Sequence, residues 1–361
     1  MTLPPDLLEV RDLTVTYRRG RGQPDLTALS AVSLGVAAGE TLGVVGESGS
    51  GKSTLGNAIL GVVTPAAGTI RFAGQDITAA SPGQRRRLTR DIQAVFQNPQ
   101  GSLNPVRTIG QTLEEPLLAH RHTNRNERRA EVGAALERVG LDRAAATRFP
   151  AHFSGGQLQR IAIARALMLV PRLLVCDEAV SALDLSIQAQ ILNLLRTLQR
   201  ELALSYLFIS HDLAVVRHVS DRVAVLYRGR LMETGTVADV CERPTHPYTR
   251  ALLAAAPLPD PAIQRARHIG EVLAVEPAVS PPADAGCPFR HRCPFAIDAC
   301  ADPLPVYGGS SHMVACHRYH ELGSERGARR PAKPTATVDI SSSDTGHGAE
   351  LVPGPRPGGT V

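Results

Sequence analysis

The sequence predicts an α/β fold on a mostly parallel, doubly wound sheet, and three patterns carry that expectation. First, the apolar run Leu42 to Val45 leads into Gly46-Glu47-Ser48-Gly49-Ser50-Gly51-Lys52-Ser53, after which Leu55, Ala58, Ile59 and Val62 recur at helical spacing. Second, Leu173 to Cys176 and Tyr206 to Ile209 are short, continuous apolar runs, the pattern of strands covered on both faces. Third, Ile187, Ile191, Leu194, Leu195, Leu198 and Leu202 form a helical stripe between those runs. Alternating β and α units are the signature of a parallel sheet with helices on both faces.

The remaining elements follow in chain order. Glu9 to Thr16 alternates weakly and ends at Tyr17; Thr69 to Phe72 and Asp91 to Phe96 are further strand candidates. Only one helix is expected before residue 97. From Gln97 to about Phe149 the pattern turns helical, punctuated at Asn98-Pro99 and Asn104-Pro105. Val223 to Leu226, Arg228-Gly229-Arg230 and Leu231 to Glu233 read as a hairpin. A region rich in Pro, His and Cys spans about 240–320, and the Gly/Pro/Ser/Thr/Arg content from Gly323 onward predicts a disordered tail.

With 361 residues, the chain can hold one large domain and a smaller appendage. No apolar run approaches the length of a bilayer span, and the start of the chain, with Asp6 and Glu9, lacks a signal-peptide core. A cytosolic location with reduced cysteines is therefore expected. The net charge of +5 is spread out rather than gathered into one field. Its local clusters, Arg85-Arg86-Arg87 with Arg90 and Arg125 with Arg128-Arg129, read as solvated helix faces. No aromatic residues interleave with them, which argues against nucleic acid as a partner.

Gly46 to Ser53 matches the phosphate-binding pattern G-x-x-x-x-G-K-[ST], and its strand–loop–helix setting is what the pattern needs. Glycines let successive N–H groups turn inward, and the helix N-terminus adds partial positive charge. Lys52 is expected on the β- and γ-phosphates of a nucleoside triphosphate, with the Ser53 hydroxyl on Mg²⁺. Asp177 and Glu178 close the run Leu173 to Cys176. Two adjacent acids at a strand end suit a metal–phosphate site, where Asp177 helps hold Mg²⁺ and Glu178 polarises water. Ser154-Gly155-Gly156-Gln157 opens a helix through Ile161, Ala164 and Met168. Ser154 and Gln157 have capping-box spacing, which explains them without a ligand, yet the two glycines leave bare N–H groups for an anion. The one strong triphosphate site of this chain is already the Lys52 loop. The second turn is therefore expected to face the nucleotide of another chain.

These residues, with Phe153 in front of Ser154, resemble the signature motif of ABC transporter ATPases, and the other motifs stand in the order that family uses over about residues 8–240. The resemblance implies a phosphate-loop NTPase with a mostly parallel core sheet, an antiparallel β part and a helical subdomain at about 98–165. It also implies that nucleotide is bound by Tyr17, stacking on adenine, and by Gly46, Glu47, Ser48, Gly49, Ser50, Gly51, Lys52, Ser53 and Thr54. Gln97 looks like the Q-loop glutamine that senses Mg²⁺ and touches the membrane partner. Ser181 and Asp184 look like the D-loop, and His211 like the switch histidine on the γ-phosphate. Two departures are visible: Phe153 stands where Leu is usual and Ala179 where Pro is common. Neither removes a catalytic group, and with Glu178 retained the chain is expected to hydrolyse ATP.

Three further stretches are similar to ATPase subunits of oligopeptide/dipeptide importers: Gln97 to Pro105, Arg243 to Leu253, and Gly286 to Pro294. Pro259-Asp260-Pro261, Arg265, Arg267 and Gly270-Glu271 lean towards the second of the two ATPases such importers pair. The partners implied are a second ATPase subunit, two transmembrane permease subunits and an extracytoplasmic solute-binding protein, with this chain peripheral on the cytoplasmic face. Nickel, glutathione or haem are alternative cargoes, and a non-transport ABC ATPase or an exporter component are rival readings. Cys287, Cys293, Cys300 and Cys316 place four thiols in one short region, spaced C-x5-C-x6-C-x15-C. Four soft ligands suit Zn²⁺ or an iron–sulfur cluster, and the spacing is not that of paired CxxC knuckles. The resemblance implies a [4Fe–4S] cluster there, with zinc and unligated thiols as alternatives. His291 and His317 could substitute as ligands but are expected at the surface, with Cys176 in a strand and Cys241 in a loop. Domain limits are expected at 1–240, 241–322 and 323–361.

Overall fold

The computed structural model describes residues 6–20, 23–120, 124–255, 286–309 and 311–324. Pro259, Asp260, Pro261, Arg265, Arg267, Gly270 and Glu271 lie outside them, as does the expected tail from residue 325 on.

Two sheets organise the chain. The antiparallel sheet has the order β2-β1-β4-β5, from β1 (Leu8–Tyr17), β2 (Leu26–Val36), β4 (Ala67–Phe72) and β5 (Gln75–Asp76). The central sheet holds β3 (Thr41–Val45), β6 (Ile92–Phe96), β7 (Leu173–Asp177), β8 (Ser205–Ile209), β9 (Arg222–Tyr227) and β10 (Arg230–Thr236). Short β11 (Tyr307–Gly309) and β12 (His312–Val314) complete it in the order β11-β12-β10-β9-β3-β8-β7-β6. Strands β9, β3, β8, β7 and β6 run parallel, while β10, β12 and β11 are antiparallel additions. The C-terminal hairpin thus extends the core sheet, with Glu233 opposite Val314 and Gly235 opposite His312.

The apolar runs read as continuous because alternate side chains enter two different cores. Leu173, Val175, Leu207, Ile209, Ala224 and Leu226 face a core shared with the antiparallel sheet and α1 (Lys52–Leu60). Leu174, Cys176, Tyr206, Phe208, Val223 and Val225 face the other, packed with α6 (Gly155–Leu167) and α7 (Leu185–Leu202). On α7, Ile191, Leu195 and Leu198 are fully buried and Ile187, Leu194 and Leu202 pack at the margin, as the stripe predicts. The helical segment comprises α3 (Pro99–Ser102), α4 (Ile109–His120), α5 (Arg125–Arg138) and α6. No helix among the described residues is long and apolar enough to cross a membrane.

Three local expectations need correction. A second helix precedes residue 97: α2 (Pro82–Leu88), begun by a Ser81–Gln84 capping box and Pro82. It buries no residue, so no apolar period announces it. Arg85 is not part of a solvated face, because its guanidinium donates to the Ile59 and Ile77 carbonyls and so closes the end of α1. Cys241 is buried in a helical turn, Ala238–Glu242, rather than in an open loop.

Candidate functional site

The phosphate loop joins β3 to α1. Its glycines are needed for shape: Gly51 has φ 103°, and a Cβ there would sit 2.6 Å from the Ala28 carbonyl oxygen. Lys52 is buried at the start of α1, and its ammonium donates to the Gly46 and Glu47 carbonyls at 2.8 and 2.9 Å. Burial lowers its pKa, opposed by the charges of Glu178, Asp177 and Glu47. Lys52 therefore holds the loop closed around itself and keeps an ammonium ready for an anion. Tyr17, at the end of β1 and partly exposed, donates to Thr54 Oγ1 at 3.4 Å, which sets its ring beside the loop.

Parallel register assembles the acidic side. Phe96, Asp177 and Ile209 are neighbours across β6, β7 and β8, so the residues that follow them gather at one sheet edge. Gln97 follows Phe96; Glu178 follows Asp177, and its N–H donates to the Ile209 carbonyl at 3.0 Å. The His211 Nδ1 then lies 3.3 Å from Glu178 Oε1. Glu178 itself has φ 50°, a left-handed conformation uncommon for a side-chain-bearing residue and typical of functional turns. Ser53 Oγ donates to Asp177 Oδ1 at 3.0 Å. Burial raises the Asp177 pKa, and Glu178 adds to that rise against the Ser53 hydrogen bond and Lys52. A hydroxyl, a carboxylate under electrostatic strain and the nearby Gln97 amide are the hard oxygen donors Mg²⁺ takes. Ser48, Ser53, Gln97, Asp177 and Glu178 line one end of a cleft of about 1100 Å³ whose other walls come from β6, α3, α4 and α6; Tyr17, Lys52 and His211 lie outside its lining.

Ser154 to Gln157 do not line that cleft. Ser154 caps α6, accepting from the Gln157 N–H at 3.4 Å while Gln157 Oε1 accepts from the Ser154 N–H at 3.0 Å. The two glycines have different reasons. A Cβ on Gly156 would meet Ile187 Cγ2 at 2.5 Å, so that glycine serves packing against α7. Gly155 is exposed, and a Cβ there would meet only Leu183 Cδ2 at an ordinary 3.9 Å. Ser181 Oγ donates to the Glu178 carbonyl at 3.0 Å, and Asp184 caps α7 by accepting from the Ile187 N–H at 2.9 Å. The next residue, Leu185, is 83% exposed, a large apolar side chain left at the same edge.

Cys287, Cys293, Cys300 and Cys316 line one small cavity with His246 and His317, and all four are free thiols. Burial pushes Cys287 up to about 12 and Cys316 to about 11, and raises Cys293 as well. Their mutual charge adds to that rise. Burial therefore favours the neutral thiol at Cys287, Cys293 and Cys316. Among the described residues no group of three or more His, Cys, Asp or Glu is arranged to hold a metal ion. His317, expected at the surface, is only half-exposed and its Nε2 is buried without a hydrogen-bond partner, whereas His291 is exposed.

Tyr248 and Arg292 carry no role in the sequence motifs, yet both touch the phosphate loop at Glu47. Each lies inside a stretch singled out for its importer-like pattern, which was the available signal.

Comparison with known proteins agrees with this architecture. A family model described as ABC transporter matches residues 29–181, and one described as oligopeptide/dipeptide transporter, C-terminal region, matches residues 232–300. The chain is 48% identical over 326 residues to the oligopeptide transport ATP-binding protein OppF of Escherichia coli, covering 88% of this chain and 97% of that protein. It is likewise 48% identical over 323 residues to the di/tripeptide transport ATP-binding protein DppF of Pseudomonas aeruginosa, covering 88% and 98%. Among solved structures, a dimeric ATP-binding cassette, MJ0796, bound to ADP and Pi after hydrolysis, superposes with TM-score 0.58 at 30% identity. That match covers 64% of this chain and 98% of the cassette. The cbiO1 cassette of Clostridium perfringens gives TM-score 0.60 at 27% identity, covering 73% and 98%.

Proposed function

This chain belongs to the ABC transporter ATP-binding proteins of the oligopeptide/dipeptide kind, and from that premise we propose that it hydrolyses ATP to power import of di- or oligopeptides. It works as one of two ATPase subunits on the cytoplasmic face of a membrane, docked on two permease subunits fed by an extracytoplasmic solute-binding protein. The observation that carries the reading is the pairing of Ser53 with Asp177 and of His211 with Glu178 at one sheet edge, with Gln97 in the same cleft as Ser53, Asp177 and Glu178 and the Ser154 turn outside it.

Tyr17 stacks on adenine, and the loop from Gly46 to Thr54 wraps the phosphates with backbone N–H groups. Lys52 leaves the Gly46 and Glu47 carbonyls for the terminal phosphates. Ser53, Asp177 and Gln97 would hold Mg²⁺, which neutralises phosphate charge when bound. Glu178 orients a water for in-line attack and accepts its proton: the water oxygen bonds to the γ-phosphorus, the bond to the β-bridging oxygen breaks, and ADP and phosphate leave. His211, against Glu178, contacts the γ-phosphate and completes the site. Most of the acceleration is positioning and electrostatics. Ser154, Gly155, Gly156 and Gln157 present their helix N-terminus to the nucleotide on the second ATPase subunit, with Ser181 and Asp184 at the same seam. Closure and reopening of that seam move the permease helices docked near Gln97.

The four cysteines would hold a [4Fe–4S] cluster; no step of hydrolysis runs through it. Iron and acid-labile sulfide in anaerobically purified protein, lost in Cys287→Ser and Cys300→Ser, are expected. Zinc in place of iron would overturn the assignment. For the transport reading, the assembly is reconstituted with its permease and binding protein, and ATP turnover is followed as cargo is added. Stimulation by di- or oligopeptides is expected. Stimulation by nickel, glutathione or haem alone would replace the peptide.

A further inference from the structure

Glu47, the second residue of the phosphate loop, is gripped by the C-terminal region at two points. Its N–H donates to Tyr248 Oη at 3.0 Å, and both oxygens of its carboxylate lie 3.0 Å from Arg292 Nη1. Lys52 holds the Glu47 carbonyl from the other side. One loop residue thus has its donor, its acceptor and its charge all assigned.

The grip is itself rigidly mounted. Tyr248 is fully buried, and its ring packs 4.5 Å from Tyr227 and 5.3 Å from Phe289, centre to centre. Arg292 lies over Phe289 at 5.6 Å and over Tyr227 at 6.0 Å, within cation–π range. Phe289 is two residues from Cys287 and Arg292 is next to Cys293, so the same short segment carries two cysteines and the contact to the loop. The charges matter as well. The Glu47 carboxylate contributes to the field at Lys52, and unpaired it would oppose an incoming triphosphate.

We infer that Tyr248 and Arg292 are positioning residues for ATP binding, through which the cysteine-rich C-terminal region sets the shape and charge of the phosphate loop. Tyr248 fixes the start of the loop by taking the Glu47 N–H, leaving the later N–H groups for phosphate. Arg292 neutralises Glu47, so the field at the loop is that of Lys52. Perturbing the cysteine region loosens Arg292 and Phe289 together and weakens nucleotide binding without touching a residue of the cleft.

The inference rests on the loop being the ATP site, and the test separates the two. Fluorescent ATP-analogue binding is titrated with Mg²⁺ on the full chain purified anaerobically, with thermal unfolding and iron content recorded for each variant. Lys52→Ala abolishing binding supports the ATP site; unchanged binding in Lys52→Ala would overturn that site and this inference with it. Arg292→Ala is expected to weaken binding roughly three- to fivefold, the scale of a partly exposed ion pair. Arg292→Lys recovers part of the loss. In a Glu47→Gln background the further change Arg292→Ala has no effect, because the charge it answers is gone. Tyr248→Phe weakens binding about fivefold, as loss of one hydrogen bond to the loop predicts. Equal losses from Arg292→Ala in both backgrounds, or wild-type affinity in Arg292→Ala and Tyr248→Phe while Lys52→Ala is dead, would overturn the inference.

Discussion

His211 Nδ1 stands 3.3 Å from Glu178 Oε1 because β7 and β8 are in parallel register, with Asp177 opposite Ile209. The two side chains leave adjacent strand ends and meet without any helix to position them. A water placed by Glu178 is thereby next to the group proposed to contact the γ-phosphate. Glu178→Gln keeps shape and hydrogen bonding but removes the base. Steady-state ATP turnover of the assembled complex is expected to fall about 100-fold or more while nucleotide binding persists. Turnover near wild type would remove Glu178 from catalysis.

Lys52→Ala acts on binding rather than on chemistry. Charge-assisted hydrogen bonds to phosphate are lost, and the Gly46 and Glu47 carbonyls lose the donor that closes the loop. Equilibrium binding of ATP is expected to weaken roughly 10- to 100-fold. A variant with normal affinity and reduced turnover would contradict the assignment.

Asp177 carries the metal prediction. In wild-type protein, ATP affinity is expected to drop when Mg²⁺ is removed by chelation. Asp177→Asn should show a much smaller loss of ATP affinity on chelation than wild type, since the carboxylate beside Ser53 is the one charged group among those proposed to hold the ion. A full Mg²⁺ response in Asp177→Asn would place the ion elsewhere.

Gly155 and Gly156 separate function from packing within one turn. Gly156→Ala forces a methyl against Ile187 and is expected to cost about 1–3 kcal/mol, read as a lower melting temperature. Gly155→Ala has room and should melt like wild type. It should nevertheless weaken ATP-dependent pairing of ATPase subunits, measured by light scattering. Pairing unaffected by Gly155→Ala would detach this turn from the seam.

Much of this was legible in sequence because the fold repeats one simple rule. Runs such as Leu173 to Cys176 feed two cores, and their ends carry the polar residues that chemistry uses. What was missed lacked a periodic apolar signal. In β2, Ser and Ala dilute the alternation of Leu29, Val32, Leu34 and Val36. Helix α2 buries nothing, and β11 and β12 are three residues each. Arg292 and Glu47 are 245 residues apart, and no local pattern could pair them. The double glycine was read as one feature, although only Gly155 is free of a packing reason.

The central claim is that a nucleotide pocket is completed by a second chain, with the Ser154–Gln157 turn supplying the far wall. A cryo-EM structure of the Glu178→Gln assembly loaded with MgATP measures this directly. The Ser154 hydroxyl and the Gly155 N–H are expected within hydrogen-bond distance of the terminal phosphate bound to the opposing ATPase subunit. A closed, ATP-loaded assembly in which that turn faces solvent would contradict it.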